Sequence, residues 1–299
     1  MVMDFSRFES PVLLRGDAVT AYRDPAVWYE DGVFHLYFTL VETLADGWPY
    51  LQLGEVTSRD LRSFSPVRRL TVRDRSLNYS SPGCVLRVGD ERVLCFQSYC
   101  REHGEKYGNE RSRLYVMRSR DLVAWGEPEL LRVKGDGVAE SAMGRMIDPY
   151  LLSAGGRHYC FFKQNGVSCS VSDDLRHWEY LGHVEGGENV CIVRDGDGWL
   201  MVHSPANGIG FKRSADLVTW EDEGRTMLGA SDWPWAQGRL TAGFVLDLRG
   251  CPEVGKALLF FHGTGPEDER VVFDTQACIG LAWSDDLREW SWAGKEARR

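Results

Sequence analysis

Three carboxylates stand immediately ahead of three apolar runs. Asp24-Pro25 leads into Ala26-Val27-Trp28-Tyr29, Asp148-Pro149 into Tyr150-Leu151-Leu152, and Glu188 into Val190-Cys191-Ile192-Val193. Each precedes the first strand of a predicted structural unit, so the three are expected at equivalent heights around one opening. Converging carboxylates repel one another, and at least one must then hold a proton near neutral pH. A protonated and an ionised carboxyl together suit glycosidic bond cleavage, where one protonates the leaving oxygen and the other activates water or attacks the sugar. Two plainer readings compete. A single Asp-Pro commonly caps a turn, and a cluster of acids is also a site for a hard cation such as calcium.

The neighbours of these acids extend the reading. Pro after Asp24 and Asp148 predicts extended backbone at both aspartates. Tyr22, Tyr79, Trp233 and Trp235 are expected at the same rim, as platforms for sugar rings. Arg145 and Arg239 precede the first strands of the third and fifth units. A planar guanidinium there would clamp a hydroxyl or a carboxylate, and one facing the opening would point to an acidic sugar.

The elements that position these residues are marked by a phrase that occurs five times, Ser-x-Asp-Leu-x-x-aromatic. It runs from Ser58 to Phe64, Ser119 to Trp125, Ser172 to Trp178, Ser214 to Trp220 and Ser284 to Trp290. Its aspartates are 61, 53, 42 and 70 positions apart, a spacing that suits the four-stranded blade of a β-propeller. The phrase reads as a tight turn in which Ser and Asp satisfy backbone N–H groups while Leu and the aromatic fold back onto the sheet. Ahead of each copy lies an apolar hairpin, such as Pro25 to Phe38 around Asp31-Gly32, whose Asp-Gly is a strong turn signal.

The fold class that follows is all-β, a single five-bladed β-propeller domain over residues 1–299. Its blades are expected at about 22–73, 78–134, 146–184, 188–227 and 240–292. Residues 9–16 repeat the segment that follows the phrase aromatic and have no blade of their own. They are predicted to supply the outer strand of the last blade and close the ring, since an open ring exposes two sheet edges.

Composition agrees. The 299 residues include 11 Trp, 11 Tyr, 13 Phe and 32 Gly, which favour strands joined by tight turns. A net charge of −9 argues against general polyanion binding, so no nucleic acid is expected as a partner. No apolar run is long enough to span a membrane or to direct export. The 8 Cys sit mainly in strand-like runs without a Cys-x-x-Cys pair, which predicts reduced, buried thiols and a cytoplasmic location.

From about Tyr22 to Trp290 the sequence resembles the five-bladed glycoside hydrolases of family 43, the arabinanase, β-xylosidase and α-L-arabinofuranosidase group. Asp24-Pro25 with the hairpin to Phe38, Asp148-Pro149 with the hairpin to Phe162, and Glu188 with the run to Val202 carry the resemblance. It implies that Asp24 is the general base, that Asp148 orients and tunes the acid, and that Glu188 is the general acid. Glu185, followed by Gly186, is the alternative acid. Ser80-Ser81-Pro82 departs from the Trp-Ala-Pro common in the second blade of that family, which leaves arabinan or xylan specificity unsupported. The resemblance also marks His262, at a strand end in the last blade, as the residue reaching a possible structural Ca2+ in the central channel. No cofactor is required for the chemistry. His203 occupies a similar place in blade 4, and His35 is expected to be packed.

The function expected is exo-acting hydrolysis of short oligosaccharides or glycosides, by inversion, with the loops Tyr99–Arg113 and Gly224–Gln237 walling off one end of the cup. A glycoside phosphorylase of related fold and a non-catalytic carbohydrate-binding propeller are the alternatives.

Overall fold

The computed structural model describes residues 2–227 and 233–295. After β1 (Val12–Leu14) come four blades, each a four-stranded antiparallel sheet. Blade 1 is β2 (Thr20–Glu30), β3 (Val33–Thr43), β4 (Pro49–Ser58) and β5 (Arg68–Arg69). Blade 2 is β6 (Tyr79–Val88), β7 (Glu91–Ser98), β8 (Leu114–Ser119) and β9 (Glu129–Leu130). Blade 3 is β10 (Ile147–Ala154), β11 (Arg157–Lys163), β12 (Val167–Ser172) and β13 (Glu179–Val184). Blade 4 is β14 (Glu188–Asp195), β15 (Gly198–Ser204), β16 (Ile209–Ser214) and β17 (Glu221–Met227). Blade 5 has β18 (Arg239–Asp247), β19 (Ala257–Thr264) and β20 (Cys278–Ser284), and β1 completes it by pairing with β20. The ring is thus closed by the N-terminal strand, as the sequence predicts.

The repeated phrase is the corner between the third and fourth strands. In blade 1 the Ser58 hydroxyl accepts the N–H of Leu61 at 2.8 Å, and Asp60 Oδ1 accepts those of Arg62 and Ser63 at 2.9 and 2.8 Å. The same set of bonds recurs around Asp121, Asp174, Asp216 and Asp286. Each Leu of the phrase has a positive φ, from 55° at Leu61 to 66° at Leu217, and each is buried. A left-handed Leu is costly on its own. The Ser and Asp oxygens offset that cost by fixing four N–H groups, and the side chain gains the core.

The first strands, β2, β6, β10, β14 and β18, pack against one another around the centre. Each is interrupted by a β-bulge at a residue with positive φ: Asp24 (47°), Ser81 (43°), Asp148 (53°), Asn189 (51°) and Ala242 (53°). This corrects the expectation of extended backbone before Pro25 and Pro149. The bulge turns the peptide so that its N–H points at the blade before it in the ring. Thr39 Oγ1 accepts from Ser81, Gln97 Oε1 from Asp148, Ser204 Oγ from Ala242 and His262 Nδ1 from Asp24. All four acceptors occupy one position of the second strand, opposite the residue that precedes the bulge in the acceptor's own blade. Blade 3 has Lys163 at that position, opposite Ile147.

All eight cysteines are free, and six are buried. No helix among the described residues is long and apolar enough to cross a membrane.

Candidate active site

The bulges aim side chains into a central cavity of about 300 Å³, whose lining includes Asp24, Asp148 and Glu188. The three predicted acids therefore meet, but not at equivalent positions. Asn189, not Glu188, is the bulge residue of blade 4, so Glu188 corresponds to Arg23 and Ile147 rather than to the two aspartates. The one-residue offset comes from blade 4 having Glu-Asn-Val where blades 1 and 3 have Arg-Asp-Pro and Ile-Asp-Pro. Glu185 is exposed and lines a neighbouring groove, not this cavity.

Each acid has a distinct environment. Asp24 Oδ2 accepts the Thr39 hydroxyl at 2.8 Å, which holds the carboxylate against blade 1. Asp148 is buried, and its N–H is held by Gln97. Burial first, then the charges of Glu188 and Asp24, push its pKa up to about 8, so that Asp148 keeps its proton at neutral pH. Glu188 is about a third exposed and pairs with Arg239 at 3.0 Å.

Blade 5 supplies a carboxylate that the sequence reading missed. Glu269 receives Arg23 at 2.8 Å, His262 Nε2 at 3.3 Å and Arg239 at 3.5 Å. Burial alone would raise its pKa, but Arg23, then His262 and Arg239, hold it at about 2. Glu269 is thus an ionised anchor for two arginines and carries no exchangeable proton. Its only signal in sequence was a long polar insertion between the second and third strands of blade 5. The acceptors Thr39 and Gln97 were also legible as polar residues directly after the aromatics Phe38 and Phe96.

His262 is spoken for at both ring nitrogens. Nδ1 accepts the Asp24 N–H at 3.0 Å, so Nε2 carries the proton and donates to Glu269. With Nδ1 and Nε2 so engaged, neither offers a lone pair to an ion, and the ring does not fit the role of a calcium ligand. Among the described residues the triad of potential metal ligands with close spacing is Glu102, His103 and Glu105, on a surface loop away from His262. His203 Nδ1 accepts from Gly187 N–H at 3.0 Å, His35 bonds to the buried Glu55 at 2.9 Å, and neither histidine lines this cavity.

The predicted aromatic platforms are elsewhere. Trp233 is buried against Phe261 and Trp292, Trp235 stacks on Phe261, Tyr79 packs on Phe96, and Tyr22 on Phe38. They build the blades, and Tyr99, Tyr107 and Phe273 take the rim. Both predicted arginines do line the cavity. Arg239 is occupied by Glu188 and Glu269. Arg145 donates its Nε to Gly108 O at 3.0 Å and its backbone N–H to Glu110 at 3.3 Å, and its guanidinium makes no salt bridge among the described residues.

The loop Tyr99–Arg113 does wall the cavity, but its partner is the blade 5 segment 265–277. Arg101 bridges to Asp274 through two bonds of 2.7 and 2.9 Å, Lys106 reaches Arg270 O, and Tyr107 packs edge-on against Phe273. Blades 2 and 5 flank blade 1, so this strap closes the cup on the blade 1 side. Residues 228–232 of the other predicted wall, Gly224–Gln237, lie outside the described residues.

No family model matches the sequence, and no curated protein matches it. Solved structures match its fold. The catalytic domain of a Coprinopsis cinerea GH62 α-L-arabinofuranosidase superposes with a TM-score of 0.67 at 14% identity, over 94% of this chain and 97% of that one. Zg3597, a family 117 glycoside hydrolase produced by Zobellia galactanivorans, gives 0.66 at 16% identity over 91% and 86%. An exo-1,5-α-L-arabinanase from a bovine ruminal metagenomic library gives 0.62 at 15% over 89% and 94%. The chain is a five-bladed β-propeller resembling these glycoside hydrolases in fold.

Proposed function

We propose that the protein is a glycoside hydrolase that removes terminal sugars from short oligosaccharides or glycosides by carboxylate acid/base catalysis with inversion. The observation that carries this reading is that three acids meet in one cavity with different partners, and that one of them, Asp148, is buried and keeps its proton. Asp24, tethered through Oδ2, has Oδ1 available to take a proton from water as that water attacks the anomeric carbon. As the new C–O bond forms, the glycosidic C–O bond breaks and the leaving oxygen takes a proton from Glu188. Asp148 holds a proton in the same cavity and passes it to Glu188, so that Glu188 can give one proton to the leaving oxygen in each turnover. Arg239 is then drawn toward Glu269, which is already its second partner. The fold shared with known glycosidases supports this reading, and a cup closed on one side by the Arg101–Asp274 strap suits exo action. The eight free thiols favour a reducing compartment such as the cytoplasm.

The test is product release from a panel of short oligosaccharides and aryl glycosides, with and without phosphate, for wild type and Glu188→Gln. We expect hydrolysis by wild type and a loss of about 10²–10⁴ in kcat with Glu188→Gln. Turnover only with phosphate would reassign the protein as a phosphorylase, which needs at least two basic residues beside the acids, and Arg145 and Arg239 line the cup. Sugar binding without turnover by either protein would make it a carbohydrate-binding propeller.

A further inference from the structure

A second cavity lies beside the first. It is a groove of about 550 Å³ between blades 3 and 4, and it shares Glu188 and Arg239 with the cup as a common wall. We propose that this groove is the leaving-group subsite, and that the released half of the substrate carries an oxyanion, a carboxylate or a phosphate ester. The assignment as a leaving-group subsite rests on the glycosidase reading above.

Its position follows from the strap. The cup is closed over blade 1, so a substrate extends past Glu188 toward blades 3 and 4. A leaving oxygen that takes its proton from Glu188 places the group attached to it in this groove.

Its charge preference follows from a break in the ring's pseudo-symmetry. At the position where the other four blades present Thr39, Gln97, Ser204 and His262 as acceptors, blade 3 presents Lys163. A lysine has three donors and no acceptor, so it cannot cap the neighbouring bulge as the others do. It lines the groove instead, with no acidic partner among the described residues.

Lys212 and His203 also line the groove. Lys212 lines the groove from blade 4, its side chain mostly buried and paired to the exposed Asp222 at 3.3 Å. His203 is more than nine-tenths buried, and because its Nδ1 accepts from Gly187, its Nε2 carries a proton; that nitrogen has no partner. An orphan buried N–H is costly unless something accepts from it. The wall between them is bare. A Cβ at Gly187 would sit 1.6 Å from Ser204 O, and one at Gly186 would sit 2.7 Å from Val167, so both positions exclude side chains. Glu185 is the acid at the groove besides Glu188, and it is exposed. Two lysines beside a bare backbone wall, with the His203 imidazole packed behind it, suit an oxyanion in charge and in donor chemistry.

The test has a binding arm and a kinetic arm, each run on wild type and on the Lys163→Met/Lys212→Met variant. Binding of benzoate and of inorganic phosphate is measured by titration calorimetry. Wild type should bind at least one of them, the tighter of the two identifying the anion class, and the double variant should bind it about tenfold or more weakly. No binding by wild type, or equal binding by the variant, overturns the groove as an anion site whatever the enzyme's chemistry. The kinetic arm compares phenyl and carboxyphenyl glycosides of whichever sugar is turned over. The variant should lose about tenfold in kcat/KM on the carboxyphenyl compound and little on the phenyl one. An unchanged ratio overturns the leaving-group assignment while leaving the glycosidase reading intact. Anion binding lost in the variant, with no glycoside cleaved by wild type, instead refutes the glycosidase reading and with it the leaving-group role, keeping the anion site. Lys163→Met alone, which breaks no ion pair, carries both arms should the double variant not fold.

Discussion

Replacing Asp148 by Asn should make the protein more stable at alkaline pH and change it little in acid. In the folded state the Asp148 carboxyl titrates at about 8, against an ordinary value of 3.8. Between those values the unfolded chain has lost this proton and the folded chain retains it, so folding takes up a proton and stability falls as pH rises. The contribution is fully present below pH 3.8, is lost as pH climbs through 8, and is constant above that. A shift of roughly four units at 1.36 kcal/mol each amounts to about 5 kcal/mol at its limit. Asn keeps the shape and the neutrality of the protonated acid, and it does not ionise. Thermal melts of both proteins at intervals from pH 4 to 9 are the assay. The variant's advantage should be near zero at pH 4 and grow to about 10 °C or more by pH 9, taking about 2–4 °C per kcal/mol for a domain of this class. A difference in melting temperature that stays flat across that range would refute the claim that Asp148 is a buried, protonated acid.

The strap and the blade corners give further tests. Arg101→Met removes both bonds to Asp274, and amide hydrogen exchange in segment 265–277 should then quicken by about tenfold or more; unchanged protection would mean that the Lys106–Arg270 bond and the Tyr107–Phe273 contact hold the strap without it. Ser119→Ala deletes the acceptor for the N–H groups of Asp121 and Leu122, and should cost about 1–2 kcal/mol in urea unfolding; a change below about 0.3 kcal/mol would show that the left-handed Leu122 needs no such support.

The blades were legible because one physical problem is solved five times with the same letters. A strand must turn a corner while burying a Leu, and Ser-x-Asp supplies the oxygens that allow it. The hairpins were legible from apolar runs around Asp-Gly and Gly-rich turns. Asp24 and Asp148 were legible because each is followed by Pro at the entry to such a run. The bulge was not, since Asp-Pro in isolation favours extended backbone and only an acceptor on the neighbouring blade reverses that. Glu188 does line the cavity, but its one-residue offset shows in the register and not in the spacing. The rim aromatics were misplaced because Trp is equally at home in a core: Trp235 covers the glycines Gly263 and Gly280 of blade 5, and Trp233 packs between Phe261 and Trp292. Glu269 and the strap were hidden because they belong to an insertion without periodicity, whose meaning depends on what lies across the cup.

The way the ring is latched sets an order on synthesis. Residues 12–14 are synthesised well before their partner strand, which ends at Ser284. Until then this strand has no edge to join, and blade 1 lacks the His262 acceptor for its bulge. Four blades can therefore form in sequence as the chain emerges, whereas the last blade and the seating of Asp24 must wait for the two ends to meet. A ribosome stalled before residue 278 would leave a protein with a nearly complete ring and no assembled cup.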